Sequence, residues 1–336
     1  MIRFGVTLLA WGLSACGFVQ SATKSGMKPI LRNSLDAFMT EPDPQVAEGA
    51  ILANLKLIEG VAATYPTDRE LLELAAMARA NFAFGFLFDE LEALRLAHPE
   101  RTEEAERLIV RIRQAYLIGR RYAERALALH TPYREMLDGR SPETLTPDEF
   151  QAALATLDKD QAPAAFWLAF NWGGMLQAGL EIAEATHLPK LEALVRRVLE
   201  LDERVFFDVG PHMLAGVLYG FRAPAIGGDP RAAERHLDRA AELGKILLPR
   251  VLKAQFVYAQ TEQEDAFIQS LTEVLRAPIR EDRALLDTLA QIKACRLLAH
   301  LDTFFLSDAP PVPERCHRLP QRYPQPIVSE QLQEQP

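Results

Sequence analysis

The residues able to do chemistry in this 336-residue chain are its seven histidines, its three cysteines and a few polar groups set among aromatic rings. The histidines are His98, His130, His187, His212, His236, His300 and His317. None stands in a Gly-x-Ser-x-Gly, Ser-x-x-Lys or papain-like setting, and no dinucleotide or P-loop glycine pattern occurs. Covalent catalysis needs a nucleophile, a base within reach and a group that orients the base. The spacing offers no such set, so no enzyme is expected, and no cofactor. Neither Cys-x-x-Cys nor His-Glu-x-x-His exists, so no metal site is expected either. His212 follows Gly210-Pro211 at the head of an apolar run, where it reads first as a loop cap bonded to backbone and second as a ligand contact. Glu234 and His236 read as a solvated helix face.

Cys16 carries chemistry of another kind. Met1-Ile2-Arg3 forms a short positive start, Phe4 to Leu13 an apolar run, and Leu13-Ser14-Ala15 places small residues before the cysteine. This is the pattern of a bacterial lipoprotein signal over residues 1–15, cut so that Cys16 is lipidated and residues 16–29 become a tether. The alternatives are an ordinary secretory signal cut nearby, or a cytosolic chain with an apolar start. The apolar run is too short to cross a bilayer, which takes about 20 residues. Acyl chains contribute about 0.8 kcal/mol per buried methylene, enough to anchor the protein without a spanning helix. Gly17 is not the aspartate that retains such proteins at the inner membrane, which favours the inner leaflet of the outer membrane. Cys295 has apolar neighbours at helical spacing, so a buried free thiol is expected there in preference to a disulfide with Cys316.

The densest aromatic stretch is Phe166-Trp167-Leu168-Ala169-Phe170-Asn171-Trp172. Its rings fall on more than one helix face, as they would in a fully buried helix. The functional reading is that Trp167, Asn171 and Trp172 face Phe206, Met213 and Tyr219 and line an apolar channel, with Asn171 as a placed polar group. Phe82 to Phe88 is a candidate second wall. Both readings, core and channel, stand on the sequence.

The elements that must position these groups are helices. Leu191, Val195 and Val198 repeat in spacing as Ala233, Leu237 and Ala240, and again as Phe267, Leu271 and Val274. Four-then-three spacing of small or apolar residues marks one helix face and recurs as in tetratricopeptide repeats. Asp229 with Pro230 reads as a cap and first turn. Sustained period-two alternation is missing. The expected fold is all-α, a superhelix of antiparallel helix pairs over residues 30–306, with a candidate hinge at the prolines of 131–149. Residues 307–336 hold seven prolines and little apolar content, so this tail is expected extended or disordered. At 49% apolar and 25% charged residues with a net charge of −9, the chain is globular and lacks the basic balance that nucleic acid binding requires.

The run Phe206, Gly210-Pro211-His212, Gly216, Tyr219, Pro224, Gly227-Gly228-Asp229-Pro230, Ala233, Leu237 and Ala240 resembles the T-components of TRAP transporters. The resemblance extends to Ala164 through Gly173 and to Ala290 through Leu306. It implies a periplasmic lipoprotein that forms a homotrimer and associates with a periplasmic solute-binding protein. It also implies handling of a small hydrophobic or organic-acid ligand through an internal passage. Asp287 and Thr288 stand where an asparagine is expected, so no role is carried over to them. The alternative is a helical-repeat adaptor scaffolding an envelope assembly or cell-wall complex.

Overall fold

The computed structural model describes residues 26–179 and 182–320. The expected signal segment, Cys16 and the first part of the tether lie outside them. The last tether positions are already helical, because α1 covers residues 26–39. Lys28 ties this helix to the next layer through Asp68, at 2.8 Å, and Glu70, at 3.1 Å.

The chain is all-α, and no strand occurs among the described residues. Local chemistry starts the helices where the caps stand. Asp43 accepts from Gln45 N at 2.8 Å ahead of Pro44 and opens α2 (Pro44–Thr64). Asp68 opens α3 (Arg69–Phe82), which runs through a π turn (Ala83–Leu87) into α4 (Phe88–Ala97). The continuous helix Arg69–Ala97 is long and apolar enough to cross a membrane, but most of it is core. Next come α5 (Thr102–Leu127), α6 (Thr131–Leu137) and α7 (Pro147–Ala155), the last begun by a Thr146/Glu149 capping box. The candidate hinge of 131–149 therefore holds two helix segments, and it is packed. Tyr133, Leu145 and Phe150 are buried, and Lys190 Nζ donates to the carbonyls of Pro142 and Glu143.

The chain continues with α8 (Ala162–Ala178), α9 (Ile182–Ala185), α10 (Leu188–Leu201) and α11 (Gly210–Gly220). After the Gly227 turn, at φ 88°, come α12 (Pro230–Gly244) and α13 (Leu248–Lys253), the latter extended by a second π turn (Ala254–Tyr258). The last elements are α14 (Glu264–Arg276), α15 (Ala284–Ala299) and α16 (Glu314–Arg318). Neighbours along the chain pack on one another: α2 on α3, α3 on α5, α5 on α8, α8 on α10, α11 on α12 and α14 on α15.

The apolar faces assemble into two cores. The first is drawn from Leu31 to Leu218, together with Leu285 of α15, and is centred on α3, α5, α8 and α10. The second runs from Val209 to Leu319 and is centred on α12 to α15. Phe84, Phe207, Tyr219 and Leu286 pack against both.

Two expectations are corrected at the C-terminus. Cys295 is not a free thiol: it is disulfide-bonded to Cys316, with Cα atoms 5.8 Å apart. The Pro-rich tail is not loose as far as residue 320. It folds back so that Cys316 and Leu319 enter the second core, and Arg315 donates to Gln291 Oε1 at 2.9 Å. Its residues beyond 320 lie outside the described part. The composition suggested too little apolar surface to hold the segment, but the disulfide constrains a 21-residue separation and relieves that requirement. Cys316→Ser is therefore expected to lower stability by about 3 kcal/mol on the chain-entropy estimate. Urea unfolding measures this, and a loss below about 1 kcal/mol would mean that packing alone holds the tail.

Candidate functional site: the cavity between the two cores

A cavity lies where the two cores meet. Its volume is about 80 Å³, against the roughly 10–15 Å³ that one water needs. A smaller neighbour of about 40 Å³ shares Phe84, Phe170 and Met213 with it, so these three side chains stand between the two spaces.

One wall is the π turn and its flanks. Residues two apart on an α-helix point to nearly opposite sides, yet Phe84, Phe86 and Phe88 all border the cavity. A Cβ at Gly85 would lie 3.9 Å from Leu289 of α15, an ordinary van der Waals contact. Asn81 joins this wall from the end of α3, and its Nδ2 is buried with no hydrogen-bond partner.

A second wall is the loop between α10 and α11. Phe206, Phe207 and Asp208 take φ of 58°, 56° and 62°, three successive left-handed residues with side chains. Each costs about 1–2 kcal/mol relative to ordinary backbone, so tertiary contacts must impose the conformation. Phe206 is held edge-on by Trp167, with ring centroids 4.9 Å apart, and stacks on Phe166 at 5.9 Å. The Arg283 guanidinium lies 4.1 Å from the centre of the Phe207 ring. Gly244 allows the loop to close, because a Cβ there would fall 2.0 Å from Val209 Cγ1.

The loop is pinned at its base by a polar cluster. Glu203 accepts from Arg239 at 2.9 Å and from His212 Nε2 at 3.0 Å. His212 Nδ1 faces His236 Nδ1 at 2.9 Å, and Tyr219 stacks on the His236 ring at 5.8 Å. His212 is thus not a backbone cap, and His236 is half-buried rather than solvated. Glu234, its expected companion on a solvated face, pairs with Lys253 at 3.0 Å. Hydrogen bonds from Arg239 and then His212 hold the Glu203 carboxyl at about 2. Burial, followed by the field of His212, pushes His236 down to about 4.

Two facing Nδ1 atoms share one proton, so a second proton breaks the contact. His236 titrates near 6.5 when unfolded and lower in the fold. The unfolded state therefore binds more protons between these values, and stability falls as pH drops from about 6.5 to about 4. Allowing for solvent screening of this partly exposed ring, the expected loss is about 1–2 kcal/mol. Thermal unfolding across that range measures it, and His236→Gln should flatten the slope; an unchanged slope would refute the assignment.

The third wall is α15, with Leu285, Leu286, Leu289 and Lys293. Behind it lies a cluster of paired charges. Lys293 pairs with Glu92, Arg296 pairs with Asp89 and, at 3.2 Å, with Glu92, and Gln255 donates to Glu92 at 2.7 Å. Burial alone would raise the Glu92 carboxyl, but Lys293 and Arg296 outweigh it and hold the group at about 2.

The residues singled out in the sequence divide here. Phe206 and Met213 line the cavity. Trp167 stands directly behind Phe206, while His212 and Tyr219 belong to the histidine cluster. Asn171 is fully buried and donates to the carbonyls of Trp167 at 2.8 Å and Ala76 at 3.3 Å, joining α8 to α3 away from the cavity. Trp172 points elsewhere, to Phe150 and under the Arg120 guanidinium at 4.4 Å. The channel drawn from all of these together is corrected in that respect: α8 contributes Phe170 to the lining, not Trp172 or Asn171. The α15 face, Asn81 and Phe207 were missed. The leucine spacing of α15 signals only that one face is buried, and nothing in it says against what. Cys16 lies outside the described residues.

A model of the family described as TRAP transporter T-component matches residues 40–305 of the chain. No curated protein matches it.

Proposed function

As the chain belongs to the TRAP transporter T-component family, we propose that it serves such a transporter by handling a small, largely apolar ligand in the cavity between its cores. The observation that carries this reading is the cavity itself. It is walled by aromatic and aliphatic side chains at the junction of two packed units and has few polar groups, the usual form of a small-molecule site. The adjoining smaller space supports a passage, and Met213, flexible and unbranched, is suited to move between the two. The role is binding and delivery, without catalysis. The helix pairs are read as a repeat superhelix in which each pair buries its faces against its neighbours.

The finer reading is a periplasmic lipoprotein acylated at Cys16 and held at the inner leaflet of the outer membrane. It acts as a homotrimer with a periplasmic solute-binding subunit as partner. The Cys295–Cys316 disulfide supports an oxidising compartment. A second reading, an adaptor docking envelope-assembly or cell-wall proteins, is favoured by the exposed apolar side chains Val46, Leu52 and Leu57 on α2.

In-cell crosslinking followed by affinity purification and mass spectrometry separates the two. Recovery of a solute-binding protein with self-crosslinked trimers is the expected result. Recovery of cell-wall or assembly proteins with monomer alone would overturn the transport reading in favour of the adaptor.

A further inference from the structure

We infer that the ligand of this cavity is an uncharged, mainly apolar molecule carrying one hydrogen-bond acceptor that Asn81 reads, and that it is not a carboxylic acid. The inference rests on the reading of the cavity as the ligand site and chooses between the two ligand classes that reading leaves open.

Two charged residues border the space, Lys293 and Asp89. Lys293 is engaged by Glu92, and Asp89 by Arg296. The four side chains, two cations and two carboxylates, balance one another, and Gln255 adds a hydrogen bond to Glu92. An incoming carboxylate would therefore enter a low-dielectric space with no unengaged cation and would have to displace Glu92 from Lys293. A buried charge without a partner is among the most costly arrangements a protein can hold. Asn81 differs: its Nδ2 is buried without an acceptor and it lies on the same wall. A buried donor left unpaired is itself unfavourable, and a carbonyl, ester or ether oxygen on the ligand would satisfy it. The remaining lining, from Phe84 to Phe207 and Leu289, offers dispersion and ring contacts only. A site with one unmet donor selects an acceptor-bearing molecule over its hydrocarbon analogue.

Three probes of similar shape test this by calorimetric titration of the whole soluble chain from residue 17 onward: 2-acetylnaphthalene, 2-ethylnaphthalene and 2-naphthoate. The expected order has the ketone binding about 3- to 10-fold tighter than the hydrocarbon, the range of one net hydrogen bond. The carboxylate should bind at least about 10-fold weaker than the ketone. Asn81→Leu should erase the preference for ketone over hydrocarbon while leaving hydrocarbon binding in place. Leu289→Trp, which fills the cavity, should abolish binding of all three.

If 2-naphthoate binds tightest and Leu289→Trp removes it, the inference fails while the cavity stands as the ligand site. Equal binding of ketone and hydrocarbon in the unmodified protein likewise overturns the role of Asn81, with no variant needed. If no probe binds, or if Leu289→Trp changes nothing, the reading of the cavity fails and the inference with it.

Discussion

Trp172→Ala is expected to lower the free energy of unfolding by about 3–5 kcal/mol, the range for truncating a large buried ring, while leaving probe binding intact. Trp172 is fully buried, and it packs edge-on to Phe150 at 6.0 Å and beneath Arg120. Truncation leaves a void that neighbours on α5, α7 and α8 cannot fill without moving. Arg120 keeps its carboxylate partners, Glu124 and Glu143, so no charge is orphaned and the loss is mainly one of packing. The indole N–H has no partner in the fold, so no hydrogen bond is lost either. Urea unfolding gives the stability, and titration with 2-acetylnaphthalene well below the melting temperature gives the binding. A stable variant that has lost the probe would place Trp172 on the ligand path and contradict its position.

Glu92→Leu should cost a similar amount, about 3–5 kcal/mol, for a different reason. Glu92 takes bonds from Lys293 and Gln255 and contacts Arg296. Without it Arg296 retains Asp89, but Lys293 is left as a buried cation with no carboxylate partner. Adding Lys293→Met should recover most of the loss, since an apolar pair of similar volume is often as stable as a buried ion pair. The pH dependence supplies a second check. The folded carboxyl sits at about 2, below its unfolded value near 4.5. Its contribution is present above the unfolded value and disappears as pH falls towards 2. The variant should therefore lose less stability over that range than the parent. No recovery in the double variant would show that Glu92 acts through packing rather than charge.

These two residues illustrate what was legible in the sequence. Trp172 was recognisable as part of a helix with rings on more than one face, but core and channel could not be separated. The choice depends on which helices surround α8, and they come from positions such as Phe150 and Arg120. Phe206 and Met213, set opposite the α8 rings in the channel reading, line the cavity, whereas Asn81 sat unremarked at the head of a recognised aromatic run. The histidine cluster was illegible for the same reason. His212 and His236 are 24 residues apart on α11 and α12, and their contact depends on how those two helices pack against each other. Cys295 looked like a core thiol because its neighbours are apolar. Only the fold-back of a proline-rich tail brings Cys316 to it.

The sequence alone sets the helical class, most helix starts and the turn at Gly227-Gly228-Asp229-Pro230. Apolar periodicity, caps and prolines act within a turn or two of the chain, so their consequences can be read locally. It also carried the family, through residues spread over that same local pattern. Packing between distant segments sets where the cavity lies, which rings face it and which charges are already engaged. Those features come from contacts such as Asp89 with Arg296, 207 positions apart, and Gln255 with Glu92, 163 apart. Helix periodicity says that a face is buried; only packing says against what.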